Sequence, residues 1–122
     1  MPIEKSKILL VDDEIKTCKL FSKFLIKQGF DVQTASDGKM AMVKADELLP
    51  DCILLDVRMP YGGLGLLMRL RKELPGSVII MMSAFTAVDQ MGSFLNEGAY
   101  ACIEKPVDLN DLLETIKKAL KL

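Results

Sequence analysis

The feature that most constrains this chain is a repeated switch of hydrophobic period. Short unbroken apolar runs alternate with longer stretches in which apolar residues recur every three or four positions. Lys7-Ile8-Leu9-Leu10-Val11, Cys52-Ile53-Leu54-Leu55 and Val78-Ile79-Ile80-Met81-Met82 are apolar at successive positions, as strands covered on both faces must be. Phe30 to Ala35 and Tyr100 to Ile103 read as two further strands. Glu14 to Gln28 carries Ile15, Cys18, Phe21 and Leu25 at helical spacing, and Gly29 supplies a left-handed cap. Asp37 to Leu49 is helical with Ala41, Ala45 and Leu48 on one face, and Pro50 stops it. The remaining helices run from Leu66 to Leu74, closed by Pro75-Gly76, from Ala87 to Glu97, capped by Gly98, and from Leu109 to Leu120, with Asp108 as N-cap. Five strand–helix pairs predict an α/β fold: a doubly wound parallel sheet, helices on both faces, right-handed crossovers.

At 122 residues the chain fits one domain, taken as 1–122, with little room for a second. Sixteen basic against 17 acidic residues leave a formal charge of −1, which argues against a dedicated nucleic-acid binder. No apolar run approaches the roughly 18 residues of a membrane span. The start, Met1-Pro2-Ile3-Glu4-Lys5, lacks the apolar core of a secretory signal. Histidine is absent, which removes His-based triads, His-ligated zinc and phosphohistidine carriers. Cys18, Cys52 and Cys102 are widely spaced among apolar neighbours and read as reduced core thiols of a cytoplasmic protein.

In open parallel α/β sheets, ligands bind outside the carboxyl ends of the strands. Polar residues stand at four of those ends: Asp12-Asp13 after the first strand, Asp56 after the third, Ser83 after the fourth and Lys105 after the fifth. Each has an ordinary explanation taken singly. Asp12-Asp13 could cap a helix, Asp56 could be a solvated strand end, Ser83 is ordinary there, and Lys105 could be a surface lysine. Their conjunction is the signal, because the topology brings all five side chains to one sheet edge. Three carboxylates and one ammonium sum to about −2, and each like pair at ~4 Å repels by about 4 kcal/mol at an effective dielectric of ~20. Such a cluster must protonate or hold a cation. Its all-oxygen donors suit Mg²⁺, which would bring the site to neutrality and let it accept a phosphoryl group.

The string Ile8-Leu9-Leu10-Val11-Asp12-Asp13-Glu14, then Asp56-Val57-Arg58-Met59-Pro60, Ser83-Ala84 and Lys105-Pro106 resembles the receiver domain of two-component response regulators, over almost the whole chain. The resemblance implies a flavodoxin-like (βα)5 fold with strand order 2-1-3-4-5. It implies that Asp56 is the phosphoacceptor, taking its phosphoryl group from a phosphohistidine on a sensor histidine kinase or phosphotransfer protein. It implies Mg²⁺ held by Asp13 directly, by Asp12 mainly through water, by Asp56, and by the backbone carbonyl of Arg58. Lys105 would pair with the phosphoryl oxygens, Ser83 would swing in to hydrogen-bond them, and the Lys105–Pro106 bond would be cis. Members of this family usually dimerise or dock targets through the fourth helix, fifth strand and fifth helix. The cognate kinase, the output, and whether the domain stands free or heads a longer regulator are not written in these residues.

Two departures from the family pattern stand out. The loop Tyr61-Gly62-Gly63-Leu64-Gly65 is one residue short, with Gly62 where an acid or amide usually stands, and its three glycines predict unusual freedom. Cys102 occupies the position of an aromatic coupled to the Ser/Thr movement. Tyr100 and Phe85 are the nearby aromatics. Met91, Phe94 and Leu95 must divide between core and contact surface. Of the alternatives, a haloacid-dehalogenase-type phosphatase needs a general acid two residues after its nucleophile, where Arg58 stands. A flavin site needs a phosphate loop after the first strand, and none is present. A receiver kept only as a scaffold would not need all five site residues.

Overall fold

The structure, a computed structural model, describes residues 5–59, 61–84 and 91–122. Ten elements alternate: β1 (Lys7–Val11), α1 (Ile15–Lys27), β2 (Asp31–Ala35), α2 (Gly38–Leu48), β3 (Cys52–Asp56), α3 (Gly63–Glu73), β4 (Val78–Ser83), α4 (Met91–Asn96), β5 (Ala101–Glu104) and α5 (Leu109–Leu120). The strands form one parallel sheet in the order β2-β1-β3-β4-β5. This is the order that the sequence resemblance implies.

The unbroken apolar strands are explained by two separate layers. Side chains alternate across a strand, so Leu9, Val11, Ile53, Leu55, Ile79 and Met81 pack with α2, α3 and Phe94 of α4 on one face. Ile8, Leu10, Cys52, Leu54, Ile80 and Met82 pack with Phe21 and Leu25 of α1 and Leu112 and Ile116 of α5 on the other. Burying a large apolar side chain in either layer stabilises by about 1.5–3 kcal/mol.

Caps set several boundaries. Asp37 accepts from the Met40 N–H at 2.8 Å, and Asp108 accepts from the Asn110 and Asp111 N–H groups at 2.8 and 3.0 Å. Gly29 and Gly98 both have positive φ after their helices, at 97° and 103°. Some expectations shift. α3 starts at Gly63, one turn before Leu66, because Gly62 rather than Gly65 ends the loop. β5 starts at Ala101, leaving Tyr100 outside the strand and half exposed. Ile15, expected on the buried stripe of α1, is 68% exposed. It opens the helix at the carboxyl edge of the sheet, where the polar strand ends offer no apolar surface. Phe94 is buried and Leu95 exposed. The predicted helix start at Ala87, Phe85 and Pro60 lie outside the described residues. No helix among the described residues is long and apolar enough to cross a membrane.

Candidate functional site

The fold carries Asp12, Asp13, Asp56, Ser83 and Lys105 to the same end of the sheet. Asp12 directly follows β1, and its N–H donates to the Ala35 carbonyl at 3.0 Å, which ties it to the end of β2. Asp56 is the last residue of β3 and Ser83 the last of β4. The Lys105 N–H donates to the Ser83 carbonyl at 2.7 Å, so the lysine's backbone is anchored on the serine's. The Lys105–Pro106 bond is cis.

Adjacent acids have different surroundings. Asp12 stands just past the end of β1 and Asp13 at the bend that follows. Asp12 is 1% exposed, whereas Asp13 faces solvent. Carboxylate oxygens of Asp12, Asp13 and Asp56 nevertheless lie within 4.8 Å of one another. The Lys105 ammonium sits 3.1 Å from Asp56 Oδ1 and 3.7 Å from Asp12 Oδ2. Asp12 Oδ1 accepts from the Glu14 N–H at 2.9 Å, and Asp56 Oδ1 accepts from the Arg58 N–H at 3.3 Å.

Two polar atoms at this edge are buried without a hydrogen-bond partner, Asp12 Oδ2 and Ser83 Oγ. Ser83 is wholly buried. Buried hydroxyls and carboxylates are ordinarily paired, so these two mark a place shaped for something further. The electrostatics agree. Burial raises the pKa of Asp12, the Glu14 amide draws it down, and the Asp56 charge pushes it up again, with a net rise. Burial works to lower the pKa of Lys105, but its hydrogen bond and charge contact with Asp56, then Asp12 and Glu14, outweigh that and raise it. One lysine leaves the acid cluster over-negative. Three hard oxygen donors with an orphaned oxygen fit a divalent cation such as Mg²⁺.

The β3–α3 loop is less free than its glycines suggest. The Gly62 N–H donates to the Met59 carbonyl at 3.1 Å, and a Cβ on Gly62 would meet Met59 Cγ at 2.8 Å. Gly63 has a φ of +70°, where an L side chain is strained, and only Gly65 of the three has open space around it. Tyr61 is also in the left-handed region, at 57°, and its ring lies 4.3 Å from the Lys39 ammonium. At the other departure, Cys102 is half-buried against the α2–α4 layer. Nothing in the sequence pointed to the Cys18 contact. Its thiol donates to the Asp12 carbonyl at 3.2 Å, and burial, then the charges of Asp12, Asp13 and Asp56, raise its pKa. All three cysteines are free thiols, and burial pushes Cys52 up to about 12.

Known proteins resemble this chain over nearly its whole length. The profile of the response regulator receiver domain matches residues 8–117. The regulatory protein AtoC of Escherichia coli K12 is 32% identical over 118 residues, covering 96% of this chain and 26% of AtoC. The transcriptional regulatory protein CpxR homolog of Haemophilus influenzae is 37% identical over 117 residues, covering 95% of this chain and 51% of that protein. The chain therefore spans only a quarter to a half of the length of these relatives. Among solved structures, a CheY-like response regulator receiver domain protein from Methanospirillum hungatei superposes with a TM-score of 0.91 at 32% identity, covering 97% of this chain and 95% of that one.

Proposed function

The chain belongs to the response regulator receiver domain family, and from that premise we propose that residues 1–122 are one receiver domain that takes a phosphoryl group onto Asp56. The observation that carries this reading is the convergence of Asp12, Asp13 and Asp56 within 4.8 Å, with Lys105 on Asp56 Oδ1 at 3.1 Å. A carboxylate is a weak nucleophile, so positioning and charge neutralisation supply most of the rate. Both contacts above fall on Oδ1 of Asp56, which leaves Oδ2 to attack. The O–P bond forms as the N–P bond of a phosphohistidine breaks, and the imidazole nitrogen leaves with that electron pair. Hydrolysis of the acyl phosphate later returns the carboxylate and releases inorganic phosphate.

Asp12, Asp13, Asp56 and the backbone carbonyl of Arg58 are the residues that would hold Mg²⁺, whose charge would neutralise the incoming phosphoryl oxygens. Lys105 moves from Asp56 to the phosphoryl group, keeping a charged hydrogen bond throughout. The Ser83 hydroxyl, buried and unpartnered, gains its acceptor when those oxygens arrive. That gain biases the surface of α4, β5 and α5, where Leu95 and Tyr100 are half exposed. With Cys102 in place of an aromatic, this response does not use the usual ring movement.

In this reading the chain is a signalling phosphoacceptor that catalyses only its own phosphorylation and slow dephosphorylation. It works in the cytoplasm, with a sensor histidine kinase or phosphotransfer protein as donor. A cavity of about 260 Å³ lined by Glu14, Leu20, Lys105 and Pro106 lies beside the site and gives such a donor a place to approach. Dimerisation or target docking falls to the α4–β5–α5 surface, and any output lies in another segment or chain. The test is intact-mass measurement after incubation with Mg²⁺ and acetyl phosphate. Wild type gains one phosphoryl group only when Mg²⁺ is present, and Asp56→Asn gains none. Labelling of Asp56→Asn, or none of wild type, would overturn the proposal.

A further inference from the structure

We infer that Gly38, the first residue of α2, is a positioning residue for the acceptor site, acting through the β3–α3 loop. The inference rests on the reading of Asp56 as phosphoacceptor. Gly38 is buried although it begins a helix, and it is buried against main chain. A Cβ built on it would stand 1.7 Å from the Tyr61 carbonyl oxygen, 2.6 Å from the carbonyl carbon and 2.9 Å from Tyr61 Cβ. The nearest two are backbone atoms, so no side-chain rotation relieves the overlap. Either α2 or the loop must move by more than an ångström to clear it.

The helix side of this contact is fixed. Asp37 caps α2 through the Met40 N–H, and Ala41 and Ala45 are fully buried against the sheet. The loop side is the part that yields, and it leads directly to the acceptor. Tyr61 carries the Gly38 contact, the Gly62 N–H closes back on the Met59 carbonyl, and the Arg58 N–H donates to Asp56 Oδ1 at 3.3 Å. The same stretch holds the Arg58 carbonyl assigned above to Mg²⁺. The turn that returns the Gly62 N–H to the Met59 carbonyl at 3.1 Å leaves little slack to absorb a displacement at Tyr61. Gly38 is therefore what lets this loop seat where Arg58 meets Asp56.

The test compares Gly38→Ala with Gly65→Ala, whose added Cβ meets nothing within 4 Å, and with Ile116→Val, a core change remote from the site. Acetyl phosphate labelling rates and Mg²⁺ affinity are measured below the melting temperature of every variant, and rates are scaled to folded fraction. Gly38→Ala is expected to lose roughly 10- to 100-fold in labelling rate, as for a misplacement of about 1 Å at a reacting group. Mg²⁺ affinity falls with it, while the two controls stay within about twofold of wild type. Should Gly38→Ala label like Gly65→Ala, the inference is overturned while the phosphoacceptor reading stands. If wild type itself fails to label, the phosphoacceptor reading falls first. Where Gly38→Ala does not fold, amide shifts of wild type decide. Mg²⁺ must move the Gly38 and Lys39 amides together with those of Arg58 and Gly62, and a silent Gly38 rejects the coupling.

Discussion

The two edges of the sheet are built from similar residues and treated oppositely. At the amino edge every turn is tied down. The Lys7 N–H donates to Asp51 Oδ2 at 2.8 Å, the Asp51 N–H to the Lys7 carbonyl at 2.9 Å, and the Val78 N–H to the Asp51 carbonyl at 3.0 Å. The buried Ser77 hydroxyl donates to the Pro50 carbonyl, and Arg71 Nη1 donates to the carbonyls of Pro75 and Ser77 at 3.1 Å each. At the carboxyl edge three acids crowd together, and a buried serine hydroxyl and a carboxylate oxygen go without hydrogen-bond partners. A buried unpaired polar group costs about 1–3 kcal/mol. Among the described residues, two of the three buried side-chain atoms left without a hydrogen-bond partner lie on this edge and the third, Ser22 Oγ, lies on α1; this is the edge where ligands bind in this architecture. The amino edge holds the fold together, and the carboxyl edge keeps the unpaired polar groups that the proposed cation and phosphoryl group would meet.

The largest break in this contrast should come from Lys105→Ala. It removes the cation paired with Asp56 and Asp12, so the metal-free protein loses about 2 kcal/mol, the scale of a charged hydrogen bond. The Lys105 pKa is raised in the fold. Its stabilisation is therefore fully present below its unfolded value of 10.5 and disappears as pH rises through the higher folded value. Urea melts at neutral pH should show the full loss, and melts at strongly alkaline pH should converge on wild type. Mg²⁺ still binds, but the amide-shift response to beryllofluoride is lost. Coincident melts at pH 7 would mean that the ion pair contributes nothing to stability.

The two serines sharpen the comparison, because each sits at one edge and both are buried. Ser77→Ala strips the donor from the Pro50 carbonyl and should cost about 1–2 kcal/mol, with acetyl phosphate labelling unchanged. Ser83→Ala removes a hydroxyl that has no partner in the resting protein. It should leave stability level or raise it by up to about 1 kcal/mol, and still impair the response to phosphorylation. Equal destabilisation by the two substitutions would erase the distinction between the edges.

Much of this contrast was legible in the chain. Unbroken apolar runs announced strands buried on both faces, and the conjunction of polar residues at the ends of those runs, each ordinary taken singly, announced the candidate site. Burial was not legible. Asp12 and Asp13 are identical in sequence terms, and only their placement past the end of β1 makes the first enclosed and the second wet. The apolar spacing of α1 likewise included Ile15, which the end of the sheet leaves uncovered. The glycine-rich loop read as free because sequence shows a residue's own latitude and not its neighbours'. The contact of Gly38 with Tyr61 links residues on different elements, and no local pattern encodes it.

The smallest effect, and the one with the most informative sign, is expected from Asp12→Asn. Folding raises the Asp12 pKa above 3.8, so its charged form is disfavoured in the native state. The group stabilises most below its unfolded pKa, and that contribution is lost as pH rises through the folded value. At neutral pH the metal-free variant should therefore be the more stable protein, by about 0.5 kcal/mol or a few degrees in Tm. The advantage should close as pH falls and wild type takes up its proton, the reverse of what a carboxylate with a lowered pKa shows. Saturating Mg²⁺ should invert the order, because linkage stabilises whichever form binds the ion more tightly. A variant less stable than wild type at pH 7 without metal would place Asp12 among the residues that hold the fold, on the side of Asp51 and Ser77.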